Sequence, residues 1–105
     1  MYVAINYISC TDQYKERFEF LFGSRVGAID RMPGFRNMQV LKPTDNSEYL
    51  IISHWDSEGD FQKWTGSAEF LEGHRRGFED IKKARSEGKE PPMKSVFKTY
   101  QVIAE

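Results

Sequence analysis

The chain has 105 residues, with 15 basic and 16 acidic side chains and a formal net charge of −1. That length predicts one domain over residues 1–105 with a modest core, and the balanced charge offers nucleic acid no basic surface. One cysteine, Cys10, rules out an internal disulfide framework, no apolar run approaches the roughly 20 residues of a membrane span, and Met1-Tyr2-Val3-Ala4 enters a strand pattern with no signal-peptide layout, so a cytoplasmic protein that binds neither nucleic acid nor membrane is expected.

Tyr2 to Ser9 alternates as a strand, with Val3, Ile5 and Tyr7 on one face and Tyr2, Ala4, Asn6 and Ile8 on the other. Asn6 is the odd residue, because asparagine is disfavoured in strands. Its amide is either tucked against backbone or at a strand edge, or it points into a pocket beneath the sheet as a donor. Thr11 or Asp12 can cap a helix running to about Arg25 or Val26, with Tyr14, Phe18, Leu21, Phe22 and Arg25 on its buried stripe and Gly27 as its terminator. Met32-Pro33-Gly34-Phe35 is a turn into a strand. From Phe35 to Lys42, Arg36, Met38 and Val40 alternate against Phe35, Asn37, Gln39 and Leu41. Pro43 to Ser47 has hairpin-loop length, and Glu48 to Trp55 returns as a strand.

Asp56 or Ser57 caps the next helix, where Phe61 and Trp64 share the inner face. Thr65-Gly66 breaks it, and Ser67 can N-cap another helix with Glu69 in its first turn. That helix runs to about Arg85, and Phe70, Leu71, His74, Phe78 and Ile81 recur along it at helical spacing. His74 therefore lies on an apolar stripe. It is either a core histidine bonded to backbone or a metal or haem-iron ligand offered into a pocket. Gly73 and Gly77 beside it each weaken the helix by about 1 kcal/mol against alanine, and they allow a flat ligand or another backbone to approach. His54, near a strand end, has no such neighbours and a weaker claim. Ser86 to Lys94, with Gly88, Pro91 and Pro92, reads as a surface loop, and Ser95 to Ile103 as a final strand.

The order β-α-β-β-α-β is that of an α+β, ferredoxin-like split βαβ unit with both helical layers on one face of an antiparallel sheet. Aromatic and aliphatic side chains on both strand faces predict a second copy packed sheet to sheet, a homodimer in the form of a dimeric α+β barrel.

Asn6, Trp64 and His74, with the Gly34-Phe35 strand entry, the Trp55-Asp56-Ser57 junction, the Phe61-Gln62-Lys63-Trp64 helix and the Ser67 to Arg76 segment, resemble the IsdG-type haem-degrading monooxygenases of the antibiotic biosynthesis monooxygenase superfamily. The likeness runs nearly end to end. It implies that His74 is the proximal ligand of haem iron, that Trp64 holds the porphyrin out of plane, and that Asn6 sits on the distal side with its amide near the reacting oxygen. It implies that haem is both cofactor and substrate, opened to a tetrapyrrole with release of iron. No flavin or nicotinamide site is recognisable, so the electrons would come from an external donor. Phe22, Ile8 and Phe70 would be apolar walls of the haem pocket, while Arg75 and Arg76 are left unassigned. The chain departs from the staphylococcal members at Val26-Gly27-Ala28 and in the Ser86 to Lys94 loop, which leaves the ring-opening position open. Two other readings stay in view. One is a cofactor-independent oxygenase of the same superfamily acting on a phenol or quinol, which has no need of His74. The other is a haem-binding dimer without activity, which has no need of Asn6 or Trp64.

Overall fold

The computed structural model describes residues 1–24 and 27–105, so the helix end and stripe position expected at Arg25 and Val26 lie outside the described residues. Four strands, β1 (Tyr2–Cys10), β2 (Phe35–Leu41), β3 (Tyr49–Trp55) and β4 (Met93–Gln101), form one antiparallel sheet in the order β2-β3-β1-β4. With the helices α1 (Lys15–Gly23), α2 (Glu58–Thr65) and α3 (Ala68–Ser86), this is the expected α+β ferredoxin-like arrangement. Strand β1 is central, which settles one question about Asn6: it does not sit at a sheet edge. Opposite it in register lie Ile51 on β3 and Phe97 on β4.

Two of the three helix caps read from the sequence are present. The Ser57 hydroxyl accepts from the Asp60 amide at 3.2 Å, and the Ser67 hydroxyl accepts from the Phe70 amide at 3.1 Å. Each satisfies one of the donors that a helix start leaves orphaned. The two helices therefore begin where local chemistry dictates, with Gly66 and Ser67 as the hinge between them. Gly34, at φ +82°, must be glycine: a Cβ there would collide with the Asp60 side chain.

The core is split. One cluster, beneath α2, joins Tyr2, Ala4, Ala28, Ile29, Trp55, Phe61 and Trp64; the other, beneath α1, joins Ile8, Tyr14, Phe18, Leu21 and Tyr49. Between them lies α3, whose described residues include no fully buried side chain. This helix is consequently a roof over a gap and not a core helix. Polar contacts tie it down at both ends. The Tyr14 hydroxyl and Arg17 Nε both donate to Asp80 Oδ2, at 2.7 and 2.9 Å, and Arg31 pairs with Glu72 at 2.7 Å.

Several local expectations need correction. Helix α1 starts later than expected, after a 3₁₀ turn over Asp12–Tyr14, and it ends at Gly23 with Ser24 as its cap. Thr11 makes no side-chain cap; its carbonyl receives the Tyr14 amide instead. Gly27, at φ +78°, does not close α1 but opens a second 3₁₀ turn, Ala28–Arg31, which buries Ala28 and Ile29. In β2 a bulge between Phe35 and Asn37 breaks the strict alternation, so Phe35 turns inward with Met38 and packs edge-on against Trp55. Strand β4 begins at Met93 and stops at Gln101, leaving Ile103 almost fully exposed. On α3, Leu71 is 61 % exposed and lies off the stripe.

Candidate active site

The gap under α3 is a cavity of about 470 Å³, within the roughly 300–1,000 Å³ typical of small-molecule sites. Its floor is the helix-facing side of β1, β3 and β4, its roof is α3, and Trp64 and Phe61 close one end. Asn6, Ile8, Phe22, Trp64, Phe70 and His74 all line it, so the tertiary fold gathers into one cavity every residue singled out from the sequence for this site. His54 is elsewhere, on the opposite sheet face, where its Nδ1 is buried without a hydrogen-bond partner among the described residues.

The His74 imidazole is strongly constrained. Its Nδ1 lies 2.7 Å from the Phe70 carbonyl oxygen. A carbonyl can only accept, so Nδ1 carries the proton, and in the neutral ring the lone pair falls on Nε2. Burial pushes the imidazole pKa below its ordinary value, and the Phe70 carbonyl opposes this only in part, so the neutral ring is favoured at neutral pH. The Phe70 ring stacks on the imidazole at 4.1 Å between centroids, and Phe78 lies beside it at 5.4 Å. The site thus holds an uncharged imidazole whose Nε2 has no hydrogen-bond partner among the described residues. This fits a metal bound through that nitrogen, because iron and similar metals take neutral imidazole.

Asn6 supplies the other polar group. Its side chain makes no hydrogen bond to a described residue, and Ala4 and Ile8 flank it on the same strand face. An amide on a floor whose other polar side chains are the hydroxyls of Ser53 and Ser95 is available to a ligand as both donor and acceptor. Trp64 is 5 % exposed and braced: it stacks on Trp55 at 6.3 Å and meets the Phe70 ring edge-on at 5.3 Å. Such a clamped indole can resist a ligand that presses on it.

The two glycines divide in role. A Cβ at Gly73 would stand 3.5 Å from Trp64 and 3.6 Å from the Ala28 Cβ, while one at Gly77 would meet Met93 at 3.4 Å. Gly73 admits the 3₁₀ turn and the indole to the helix, and both glycines line the cavity. Arg76 is half-buried and lines the cavity. Its guanidinium donates to the carbonyls of Leu21 and Ser24 and to the Ser24 hydroxyl, at 2.9 to 3.1 Å, capping α1. Arg75 is exposed.

Phe97 and Phe78 belong to the lining as well. Phe97 stacks on Phe61 at 5.6 Å and 13° while remaining 49 % exposed. Alternation places it on one face of β4, but only the pairing of β4 with β1 puts it beside Asn6. A second groove, of about 420 Å³, is lined by Asp12, Lys15, Glu16, Glu19, Lys42 and Tyr49. Most of its charges are paired, with Lys42 and the Tyr49 hydroxyl on Glu19 and Lys15 on Asp12.

A protein-family model described as antibiotic biosynthesis monooxygenase matches residues 1–76. A mycobilin-producing haem oxygenase of Mycobacterium tuberculosis is 35 % identical over 63 residues, which are 59 % of this chain and 60 % of that protein. A staphylobilin-producing haem oxygenase of Staphylococcus haemolyticus is 31 % identical over 78 residues, 71 % of this chain and 74 % of that protein. A haem-degrading monooxygenase of Bacillus cereus is 39 % identical over 54 residues, 49 % of this chain and 50 % of that protein. The match thus spans about 60 % of the Mycobacterium relative's length. Among solved structures, the Mycobacterium tuberculosis haem degrader MhuD with two haems in its active site superposes with a TM-score of 0.71 at 22 % identity, over 100 % of this chain and 98 % of that one. SnoaB, a cofactor-independent oxygenase from Streptomyces nogalater, superposes with a TM-score of 0.73 at 17 % identity, over 99 % and 94 %. At these identities the superpositions speak to fold.

Proposed function

The chain belongs to the antibiotic biosynthesis monooxygenase family, and on that footing we propose that it is a haem-degrading monooxygenase. The observation that carries this reading is a neutral imidazole, tied through Nδ1 to the Phe70 carbonyl, in a largely apolar cavity whose floor bears an amide with no partner among the described residues. A cofactor-independent oxygenase does not need a metal-ligand nitrogen, and could use this imidazole only as a base. The names of the Mycobacterium, Staphylococcus and Bacillus relatives point to the same activity.

In this reading haem is substrate and cofactor together, supplying the iron at which dioxygen is reduced by electrons from an external donor, and the products are iron and an opened tetrapyrrole. His74 binds the iron through Nε2. The Phe70 carbonyl holds the Nδ1 proton and so keeps the ligand nitrogen in one tautomer. The Asn6 amide, on the opposite wall, donates to the partly negative reacting oxygen; a donor aimed at developing charge in a dry site is worth far more than in water. Trp64, backed by Trp55, would stand against the ring, whose distortion is one lever a protein has on haem. Ile8, Phe22 and Phe70 exclude water.

The functional unit in this reading is a homodimer, sheet against sheet. The sheet face away from the helices carries exposed Leu41, Val96 and Tyr100 beside half-buried Ile5, Leu50 and Ile52. An apolar surface of this kind is seldom left to solvent.

The direct test is to add hemin to apo-protein and record spectra before and after supplying a reductant in air, with catalase present. A one-to-one Soret band that decays as iron is released is the expected result. A stable band that survives reduction would reduce the protein to a haem binder, and no band at all would favour a cofactor-independent oxygenase.

A further inference from the structure

Phe78 is an expensive residue where it stands. It is 45 % exposed on a helix whose described residues bury no side chain completely, so its contribution to the core is small. Its close partner is the imidazole. The His74 and Phe78 rings are 5.4 Å apart and only 24° from parallel. Phe70 lies 4.1 Å from His74 and 6.4 Å from Phe78. Those three separations make the angle at His74 close to a right angle. Phe70 and Phe78 therefore lie against the imidazole in two well-separated directions, each ring within 30° of parallel to it, and Trp64 stands 6.0 Å away. A histidine held by one hydrogen bond can turn about its χ2 torsion, which is broad, and such a turn takes Nδ1 off its acceptor and puts Cδ2 in its place. With rings on these sides, that turn is obstructed.

We propose that Phe78 is a positioning residue that holds the His74 imidazole against the Phe70 carbonyl, so that Nε2 and never Nδ1 is presented to the cavity. The proposal rests on the reading of His74 as a ligand, but its physical content concerns the apo-protein. A ligand fixed in advance binds without first losing rotational freedom.

The experiment is long-range ¹⁵N–¹H correlation of the assigned His74 ring in apo-protein at pH 8, where the ring is neutral. Wild type is expected to show one tautomer, protonated at Nδ1. Phe78→Ala should move the two nitrogen resonances toward each other as tautomers mix, Phe78→Leu should do so partly, and Phe78→Tyr should restore the wild-type pattern. Circular dichroism verifies that each variant is folded. A Phe78→Ala protein that melts at a lower temperature yet keeps the single tautomer would overturn the proposal and leave Phe78 as packing alone. If the tautomer shifts as expected but hemin gives no Soret band with wild type, the positioning role stands and the haem reading fails.

Discussion

If His74 binds iron through Nε2, protons and haem compete for the same nitrogen, and hemin affinity must follow the titration of that residue. Burial holds the imidazole pKa below its ordinary value, about 6.5. The sign follows directly. Above the folded-state pKa the ring is neutral and affinity is at its plateau; below it, each unit of pH costs a factor of ten, about 1.4 kcal/mol. Affinity should therefore change by less than about twofold between pH 8 and 7, and begin its tenfold-per-unit decline only below pH 6.5. Hemin titrations followed at the Soret band over pH 8 to 5, in wild type and in His74→Ala, supply the data. In His74→Ala the band should be lost, or any residual binding should show no break in this range. A break above pH 6.5 would refute the argument from burial, and an unchanged slope in His74→Ala would remove His74 as ligand. The same depressed pKa bears on folding. Unfolded chain takes up the proton first, so the contribution of His74 to stability is complete above about pH 6.5 and is lost as pH falls through the lower folded-state value.

Asn6→Ala should still bind hemin and fail to turn it over; wild-type turnover in single-cycle absorbance traces would return Asn6 to a structural role. Asp80→Ala strands the buried Tyr14 hydroxyl at a cost of about 1–3 kcal/mol, while loss of the solvent-screened Arg17 pair adds little. The melting temperature should fall by roughly 4–8 °C per kcal/mol, and an unchanged melt would show that water replaces the carboxylate. Gly73→Ala places its Cβ at ordinary contact distance, 3.5 Å from Trp64 and 3.6 Å from Ala28, and gains helix propensity. It should therefore be stabilised by up to ~1 kcal/mol, and a lower melting temperature would mean that the roof cannot accept even a methyl group. Sedimentation should show a dimer that Val96→Asp, on the exposed sheet face, converts to monomer; a wild-type monomer at micromolar concentration would sink the barrel assembly.

Short-range chemistry was legible in the amino-acid order. Ser57 and Ser67 cap helices because a hydroxyl three residues before an amide can reach it within the same turn, although the Thr11 hydroxyl at the same spacing does not. The period-two pattern of β1 sorts its faces correctly, and helical spacing brings Phe70, His74 and Phe78 into ring contact. The same periodicities failed where the backbone departs from a regular element. The bulge before Asn37 reverses Phe35, and the 3₁₀ turn at Ala28–Arg31 has no apolar period to announce it. What belongs to the tertiary structure alone is the cavity. Asn6 meets Phe97 through strand pairing across 91 residues of chain, and α3 spans a gap because two separate aromatic clusters, not one, support it from either side. Neither fact has a local signature. Periodicity says which side of an element is apolar, but whether the apolar sides of two elements close on each other or leave room between them depends on the summed volumes of side chains distant in sequence.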